Sequence, residues 1–529
     1  MSATGEAAAH APVEEGPQLP VAPGPARFLV LFAVFVCAAC GLVYELALVA
    51  LGSYLLGDTI VQASIVLSVM VFAMGMGSLA AKRLTGRPAF WFAVVEGALS
   101  LVGGLSVLAL YAAFAWFSLY QPALVLIAFL IGALIGAEIP LLMTLLQRIR
   151  RQEAASAAAD MFAADYVGGL IGGLAFPFAL LPVFGLLEGA LLVGALNAVV
   201  GMWIVLWLFG RSLPLRARTL PAIGLVLVLA VLAGGFVLSG RFEVSARQAL
   251  YRDPVVHAER SDYQEIVLTR TLDGSDTRLF LNGDLQFSSQ DEYRYHEALV
   301  HPAMNGTHSD VLVLGGGDGL ALREILGYDG VERVTLVDLD PAVTRLARTH
   351  PEITELNEGA FEDERVNAVS ADAFNWLRDN RQRFDVIVAD LPDPDDVGTA
   401  KLYSVEFYAL AERALAGKGR MVVQAGSPFF APDAYWSVGA GLADAGWAAS
   451  PYNVDVPSFG NWGYFLAARG EHAPEVALPK EHPRLRFLDD VTLEAATVFP
   501  KDRRPTGAEP STLLSPRIID YHRGAWQGY

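Results

Sequence analysis

The chain has 529 residues, 53% of them hydrophobic, and a formal net charge of −18. It is too long for one ordinary domain and too apolar for a purely soluble protein. The acidic balance, without the Lys and Arg clusters that hold a phosphate backbone, argues against nucleic acid and suits a cationic small molecule.

Residues 1–26 are rich in Ala, Pro, Gly and Glu and lack a basic start followed by an apolar core. A disordered tail is expected there rather than a signal peptide. From 27 to 240 apolar runs succeed one another, and about seven membrane spans are predicted, at 28–50, 59–81, 89–118, 121–146, 164–184, 187–209 and 220–240. Glycines inside them, such as Gly168 and Gly172, favour close helix packing. The only two cysteines, Cys37 and Cys40, fall in the first run, where they are expected to be small buried side chains that build neither a disulfide framework nor a zinc site. Glu45, Glu96, Glu138, Asp165 and Glu188 lie within or at the ends of the runs, where an acid either bonds a neighbouring helix or lines a path for a cation. Basic residues gather in alternate loops: Lys82, Arg83 and Arg87; Arg148, Arg150 and Arg151; Arg211, Arg216 and Arg218. The positive-inside rule places these loops, and with them the N-terminus, in the cytoplasm.

From 241 onward the polarity is that of a globular α/β protein. Residues 255–290 alternate in short segments broken by Asp273-Gly274 and Asn282-Gly283, both hairpin turns, which predicts a small antiparallel β domain over 241–304. Residues 311–324, VLVLGGGDGLALRE, read as a strand running through a glycine-rich loop into a helix. Further strands are predicted at 334–338, 366–370, 385–390 and 421–424, with helices at 320–326 and 341–349. The fold class is therefore an α-helical membrane bundle followed by α/β: a Rossmann-like, methyltransferase-type parallel sheet over 305–470, preceded by the small antiparallel β domain. Residues 471–529, of mixed charge, form a C-terminal extension expected to pack on that domain or on the membrane surface.

The acid in the glycine loop narrows the ligand. A carboxylate about 4 Å from a pyrophosphate costs roughly 1 to 4 kcal/mol, so a loop carrying Asp318 is not built for NAD or ATP. Ligands of open parallel sheets lie at the carboxyl ends of the strands. Acids recur at those ends: Asp318, Asp338, Asp372, and the pair Asp390 and Asp393. Asp338 stands at the spacing from the glycines where an acid accepts ribose hydroxyls.

Residues from about 250 to 467 resemble the spermidine synthase family, the polyamine aminopropyltransferases. The resemblance rests on Asp262-Tyr263-Gln264, on LNGDLQFSSQDEYRYHEALVHP at 281–302, on VLVLGGGDG and VDLDP, on Ala371-Asp372-Ala373, on ADLPDP at 389–394 and on QAGSPF at 424–429. It implies a membrane-anchored enzyme in which decarboxylated S-adenosylmethionine, as co-substrate, donates an aminopropyl group to putrescine or a similar amine, giving spermidine and methylthioadenosine. It further implies that Gln264, Asp338 and the Asp372-Ala373 turn hold the nucleoside and that His296 and Asp318 line the amine groove. Tyr295 would orient the amine, and Asp390 would act as general base with Asp393 beside it. The chain departs from the family pattern in the Leu-Pro between Asp390 and Asp393, in the segment 395–403, and in offering Phe459 where a tyrosine often meets the amine.

The residue types suit this chemistry. An alkyl amine is protonated at neutral pH, so a carboxylate must take its proton before it can attack, and neighbouring carboxylates raise one another's proton affinity. The sulfonium leaves as a neutral thioether, so neither a metal nor another cofactor is expected. Two other readings share these features: an S-adenosylmethionine-dependent methyltransferase of the same fold, and a membrane polyamine transporter or sensor with a non-catalytic binding domain. The expected partners are the amine, the sulfonium nucleoside and a lipid bilayer, with a homodimer through the soluble domain. The expected location is a multi-pass position in a bacterial-type plasma membrane. Seven crossings from a cytoplasmic N-terminus put the catalytic domain outside, whereas its nucleotide substrate is made inside; these two expectations oppose one another.

Overall fold

A computed structural model of the chain describes residues 20–56, 59–149, 154–212 and 214–526. It divides into two compact units, Met1–Leu250 and Tyr251–Tyr529.

The first unit is helical: α1 (Pro23–Leu56), α2 (Thr59–Ala81), α3 (Pro88–Phe117), α4 (Tyr120–Ile149), α5 (Ala154–Ala175), α6 (Leu181–Leu208) and α7 (Leu215–Leu250). A π-helical turn, Phe176–Leu180, joins α5 to α6, and Gly185 (φ 69°, ψ −175°) interrupts α6 near its start. Among the described residues six stretches are long and apolar enough to cross a membrane, one of them the 53-residue Ser156–Leu208. At 1.5 Å per residue that stretch is about 80 Å long, more than twice the thickness of a hydrocarbon core. The break at Gly185 divides it into two lengths, which correspond to the spans predicted at 164–184 and 187–209.

Two boundaries differ from expectation. Helix α1 begins at Pro23, inside the predicted tail, because proline is well tolerated in a first helical turn. Helix α7 continues past 240 to Leu250, where the Glu243–Arg247 pair at 2.7 Å links successive turns. Residues 1–19 of the tail, and Arg150 and Arg151 of the second basic cluster, lie outside the described residues.

Small residues let these helices approach closely. A Cβ on Gly168 or Gly172 of α5 would stand 2.1 or 2.4 Å from the carbonyl oxygens of Phe35 and Ala39 on α1. Two of the acids bond neighbouring helices: Asn197 Nδ2 on α6 donates to Glu96 on α3 at 2.8 Å, and Ser239 Oγ on α7 donates to Glu188 on α6 at 3.0 Å.

The second unit opens with a four-stranded antiparallel sheet of β1 (Val255–Arg260), β2 (Glu265–Arg270), β3 (Thr277–Leu281) and β4 (Asp284–Ser288). Asn282 (φ 52°) and Gly283 (φ 95°) make the tight β3–β4 turn, both in the left-handed region that Asn-Gly favours. Helix α8 (Glu292–Val300) follows.

A seven-stranded sheet comes next, from β5 (Asp310–Gly315), β6 (Arg333–Asp338), β7 (Val366–Ser370), β8 (Phe384–Asp390), β9 (Leu415–Gln424), β10 (Trp447–Val456) and β11 (Gly460–Arg469), in the order β10-β11-β9-β8-β5-β6-β7. β7, β6, β5, β8 and β9 run parallel, and β11 and β10 close one edge as an antiparallel hairpin. Alternate residues supply opposite faces: Val311 and Val313 pack in one core, Leu312 and Leu314 in the other. α9 (Leu320–Leu326) and α10 (Pro341–Thr349) occupy the predicted positions.

The topology fixes where a ligand can lie. The chain passes from β5 to β6 and β7 on one side, then returns to place β8 on the other, which opens a crevice at the carboxyl ends of β5 and β8. The C-terminal extension packs on this unit. Its helix Arg517–Trp526 buries Ile518 and Ile519 in one core, and the amides of Arg486, Phe487 and Leu488 all donate to the Glu297 carboxylate.

Candidate active site

The crevice is built by close backbone approach. Strand register sets Gly315 opposite Asp390, and the Gly316 amide donates to the Asp390 carbonyl at 3.1 Å. Gly315 has φ 83°, and a Cβ there would stand 1.9 Å from that same carbonyl oxygen. A Cβ on Gly317 would stand 2.6 Å from Asp338 Oδ2, the atom that accepts the Gly317 amide at 3.0 Å. The glycines thus hold the ends of β5, β6 and β8 together.

Helix α8 supplies the opposite wall. The Tyr295 hydroxyl donates to Asp390 Oδ1 at 2.6 Å, and the Tyr295 ring packs edge-on against His296, at 4.9 Å between centroids, and Phe459, at 5.9 Å. Tyr464 and Trp462 of β11 complete the aromatic surround. His296 is 2% exposed; its Nδ1 lies 2.8 Å from the Glu292 carbonyl oxygen and 3.1 Å from the Glu292 carboxylate one turn earlier. Arg323 of α9 grips that carboxylate through both terminal nitrogens, at 3.0 and 2.9 Å.

The electrostatics follow from this packing. Burial opposes protonation of His296, but the bond to Glu292 and the charges of Glu292, Asp318 and Asp390 outweigh it and raise His296 to about 9. Burial raises Asp390 to about 6 against the opposing pull of the His296 charge, with Asp318 adding to the rise and the Tyr295 hydroxyl restraining it. Asp318, whose Oδ1 accepts the Leu320 amide at 2.9 Å, is also raised by burial and held back by His296. Burial is the larger cause for both acids, ahead of the mutual effect of carboxylates that the sequence suggests. Burial likewise pushes Asp338 up to about 6.

Tyr295, His296, Asp318 and Asp390 therefore form one cluster, with Asp338 at the end of β6 bonded to the glycine loop through the Gly317 amide. The other expected residues surround it. Gln264 Nε2 donates to Asp340 at 3.0 Å, sharing that carboxylate with Ser261. Asp372 caps the helix Ala373–Asp379 through the Asn375 amide and accepts from Lys401 Nζ at 2.6 Å; burial is outweighed by the Lys401 bond, which lowers it. Asp393, expected beside Asp390, has its ion-pair partner elsewhere: His522 of the C-terminal helix, at 3.5 Å. Asp393 stands three residues beyond the end of strand β8.

Residues 292–480 match the spermine/spermidine synthase domain family. The chain is 59% identical over 507 residues to polyamine aminopropyltransferase 1 of Streptomyces coelicolor, covering 95% of this chain and 96% of that one. The chain belongs to the polyamine aminopropyltransferase family. A second relative, the polyamine aminopropyltransferase of Mycobacterium tuberculosis H37Rv, is 47% identical over 510 residues, covering 94% of this chain and 97% of that one. Among solved structures, a spermidine synthase in complex with the transition-state analogue AdoDATO aligns at a TM-score of 0.43 and 27% identity, covering 46% of this chain and 85% of that one.

Around the aminopropyltransferase motifs, several functional neighbours escaped sequence reasoning. Glu292 precedes His296 by one helical turn in DEYRYHE, a spacing that was available to read. Arg323, Asp340, Lys401 and His522 carry no such signal, since each meets its partner only through the tertiary fold.

Proposed function

We propose that the C-terminal unit transfers an aminopropyl group from decarboxylated S-adenosylmethionine to putrescine or a similar aliphatic amine, giving spermidine and methylthioadenosine. The observation that carries this reading is the placement of Asp390: at the crevice of the parallel sheet, bonded to Tyr295, and facing Asp318 and His296.

In this reading the acceptor lies between the aromatic wall of Tyr295 and the carboxylates of Asp318 and Asp390. Asp390 takes a proton from the attacking ammonium, a task for which a carboxyl raised to about 6 is a better base than an ordinary aspartate. The freed lone pair forms a bond to the methylene next to sulfur. The C–S bond breaks with its electrons passing to sulfur, and the sulfonium departs as a neutral thioether. His296, cationic at neutral pH and buttressed by Glu292 and Arg323, opposes the effect of burial on both carboxylates. Asp338 receives the ribose hydroxyls, and Asp372 with Ala373 borders the base. Gln264 acts from the side through Asp340, and Asp393 with His522 borders the far end. The reaction as written needs no metal or further cofactor.

We read the N-terminal unit as a multi-pass anchor in a lipid bilayer. Its helices are of crossing length, and large apolar side chains such as Ile60, Val71, Phe178 and Val237 are exposed on them.

The test uses the full-length protein in detergent, given decarboxylated or intact donor with a panel of diamines. Methylthioadenosine formed only from the decarboxylated donor supports the proposal. Adenosylhomocysteine released from the intact donor assigns a methyltransferase instead, and amine binding without turnover of either donor assigns the sensor or transporter reading.

A further inference from the structure

The helix Arg517–Trp526 lies beyond residues 292–480, the part of the chain that matches the synthase domain family, yet it packs against the loop that leaves β8. Ile518 and His522, four residues apart, share one face of it. Ile518 is buried in the core, and His522 Nε2 lies 3.5 Å from Asp393 Oδ2. From the next position Arg523 Nη2 donates to the Asp395 carbonyl at 3.1 Å. The extension thus holds this loop through both a side chain and the backbone.

Charge and space both bear on what His522 does there. The Asp393 side chain is 34% exposed, so a solute can reach it, whereas that of His522 is 15% exposed. Burial opposes protonation of His522, but Asp393, Asp395 and Asp284 outweigh it and raise its pKa, which favours the cation. Burial, Asp395 and Asp393 in turn push Asp284, the first residue of β4, up to about 6, and His522 restrains that rise. One imidazolium therefore balances carboxylates of the β8 loop and of the small β domain. Asp393, His522, Ile518, Tyr403 and Trp462 border a space of only about 10 Å³, room for about one water. Trp462 also packs on Tyr295, at 6.4 Å between ring centroids, and Tyr295 bonds Asp390. The same indole is shared between the aromatic wall of the crevice and the end that His522 fills.

We infer that His522 is a specificity-determining residue for the acceptor amine: its side chain occupies the end of the crevice beside Asp393 and disfavours amines long enough to extend past Trp462. Extended, putrescine separates its nitrogens by five bonds, ~6 Å, and spermidine separates its end nitrogens by nine, ~11 Å. An ammonium can replace the imidazolium among these carboxylates, so the end excludes a longer polyamine only while His522 holds it. The inference rests on the aminopropyl-transfer reading and adds to it a limit on acceptor length, set by a helix outside the matched domain.

The test compares initial rates of transfer to putrescine and to spermidine from the decarboxylated donor, with the full-length protein in detergent and the products resolved by mass. Wild type is expected to prefer putrescine by tenfold or more in kcat/KM. His522→Ala, which removes the cation and opens the end, is expected to raise the spermidine-to-putrescine ratio of kcat/KM about tenfold, chiefly through KM. His522→Lys keeps a cation against Asp393 and should keep the wild-type ratio. Adding Asp393→Asn to His522→Ala should cancel the gain. Equal use of both amines by wild type, a parallel fall for both amines in His522→Ala that leaves the ratio unchanged, or a His522→Lys ratio equal to that of His522→Ala would overturn the inference while the proposed function stands. Transfer to neither amine by wild type would remove the proposed function and this inference with it.

Discussion

The Tyr295 hydroxyl donates to the Asp390 carboxylate at 2.6 Å, joining the helix that follows the small β domain to the last residue of strand β8. This bond favours the ionised form of Asp390, whereas burial favours the protonated form, and burial prevails. Removing the hydroxyl therefore moves the balance further toward the proton. In wild type, kcat/KM is expected to fall as pH drops through about 6, because Asp390 must be ionised to accept a proton. In Tyr295→Phe the loss of one hydrogen bond to a charged group, worth ~1.4 kcal/mol, moves that acidic limb up by about one pH unit, and turnover falls about twofold at pH 7 and approaches a tenfold fall below pH 6. A pH–rate series on both proteins checks it; superimposable limbs would contradict it.

Glu292 sits between His296 and Arg323, so its charge is matched on both sides while it is buried. Burial raises the Glu292 carboxyl, but His296 and Arg323 outweigh it and lower it below the usual range. Glu292→Gln leaves Arg323 one carboxylate short, and about 3 kcal/mol of stability is expected to be lost.

The same change has a pH signature. His296 is raised from 6.5 to about 9 in the fold, so its contribution to stability is fully present below 6.5 and is lost as pH rises through about 9. Glu292→Gln removes the main support of that rise, and the alkaline decline attributable to His296 should flatten. Melting of the full-length protein between pH 6 and 10, followed by tryptophan fluorescence, measures both effects.

Gly317 has room for hydrogen only, since a Cβ would meet Asp338 Oδ2 at 2.6 Å. Gly317→Ala is expected to displace the Asp338 carboxylate and weaken methylthioadenosine binding by tenfold or more, while the fold is retained. Calorimetric titration with methylthioadenosine reads it, and unchanged affinity would remove Asp338 from the nucleoside site.

Much of this was legible in the sequence where the signal is local. The strand 366–370 and the helices 320–326 and 341–349 fall where periodicity and Pro341 place them, and the Asn282-Gly283 turn adopts the backbone its residues favour. Asp318, Asp338 and Asp390 could be placed at strand ends because a parallel sheet puts those ends together. The edge hairpin β10–β11 was not anticipated, and neither were the partners of the acids. Asp393 turns to His522, Asp372 to Lys401 and Gln264 to Asp340 through contacts between elements far apart in the chain, which no spacing encodes.

The central claim is that Asp390 accepts the proton that frees the attacking amine. Asp390→Asn keeps the shape of the crevice and removes that capacity. Measured in parallel, methylthioadenosine release from decarboxylated donor and putrescine is expected to fall by about 10² to 10⁴, while methylthioadenosine affinity stays within about twofold of wild type. Turnover at the wild-type rate with intact nucleoside binding would contradict the account.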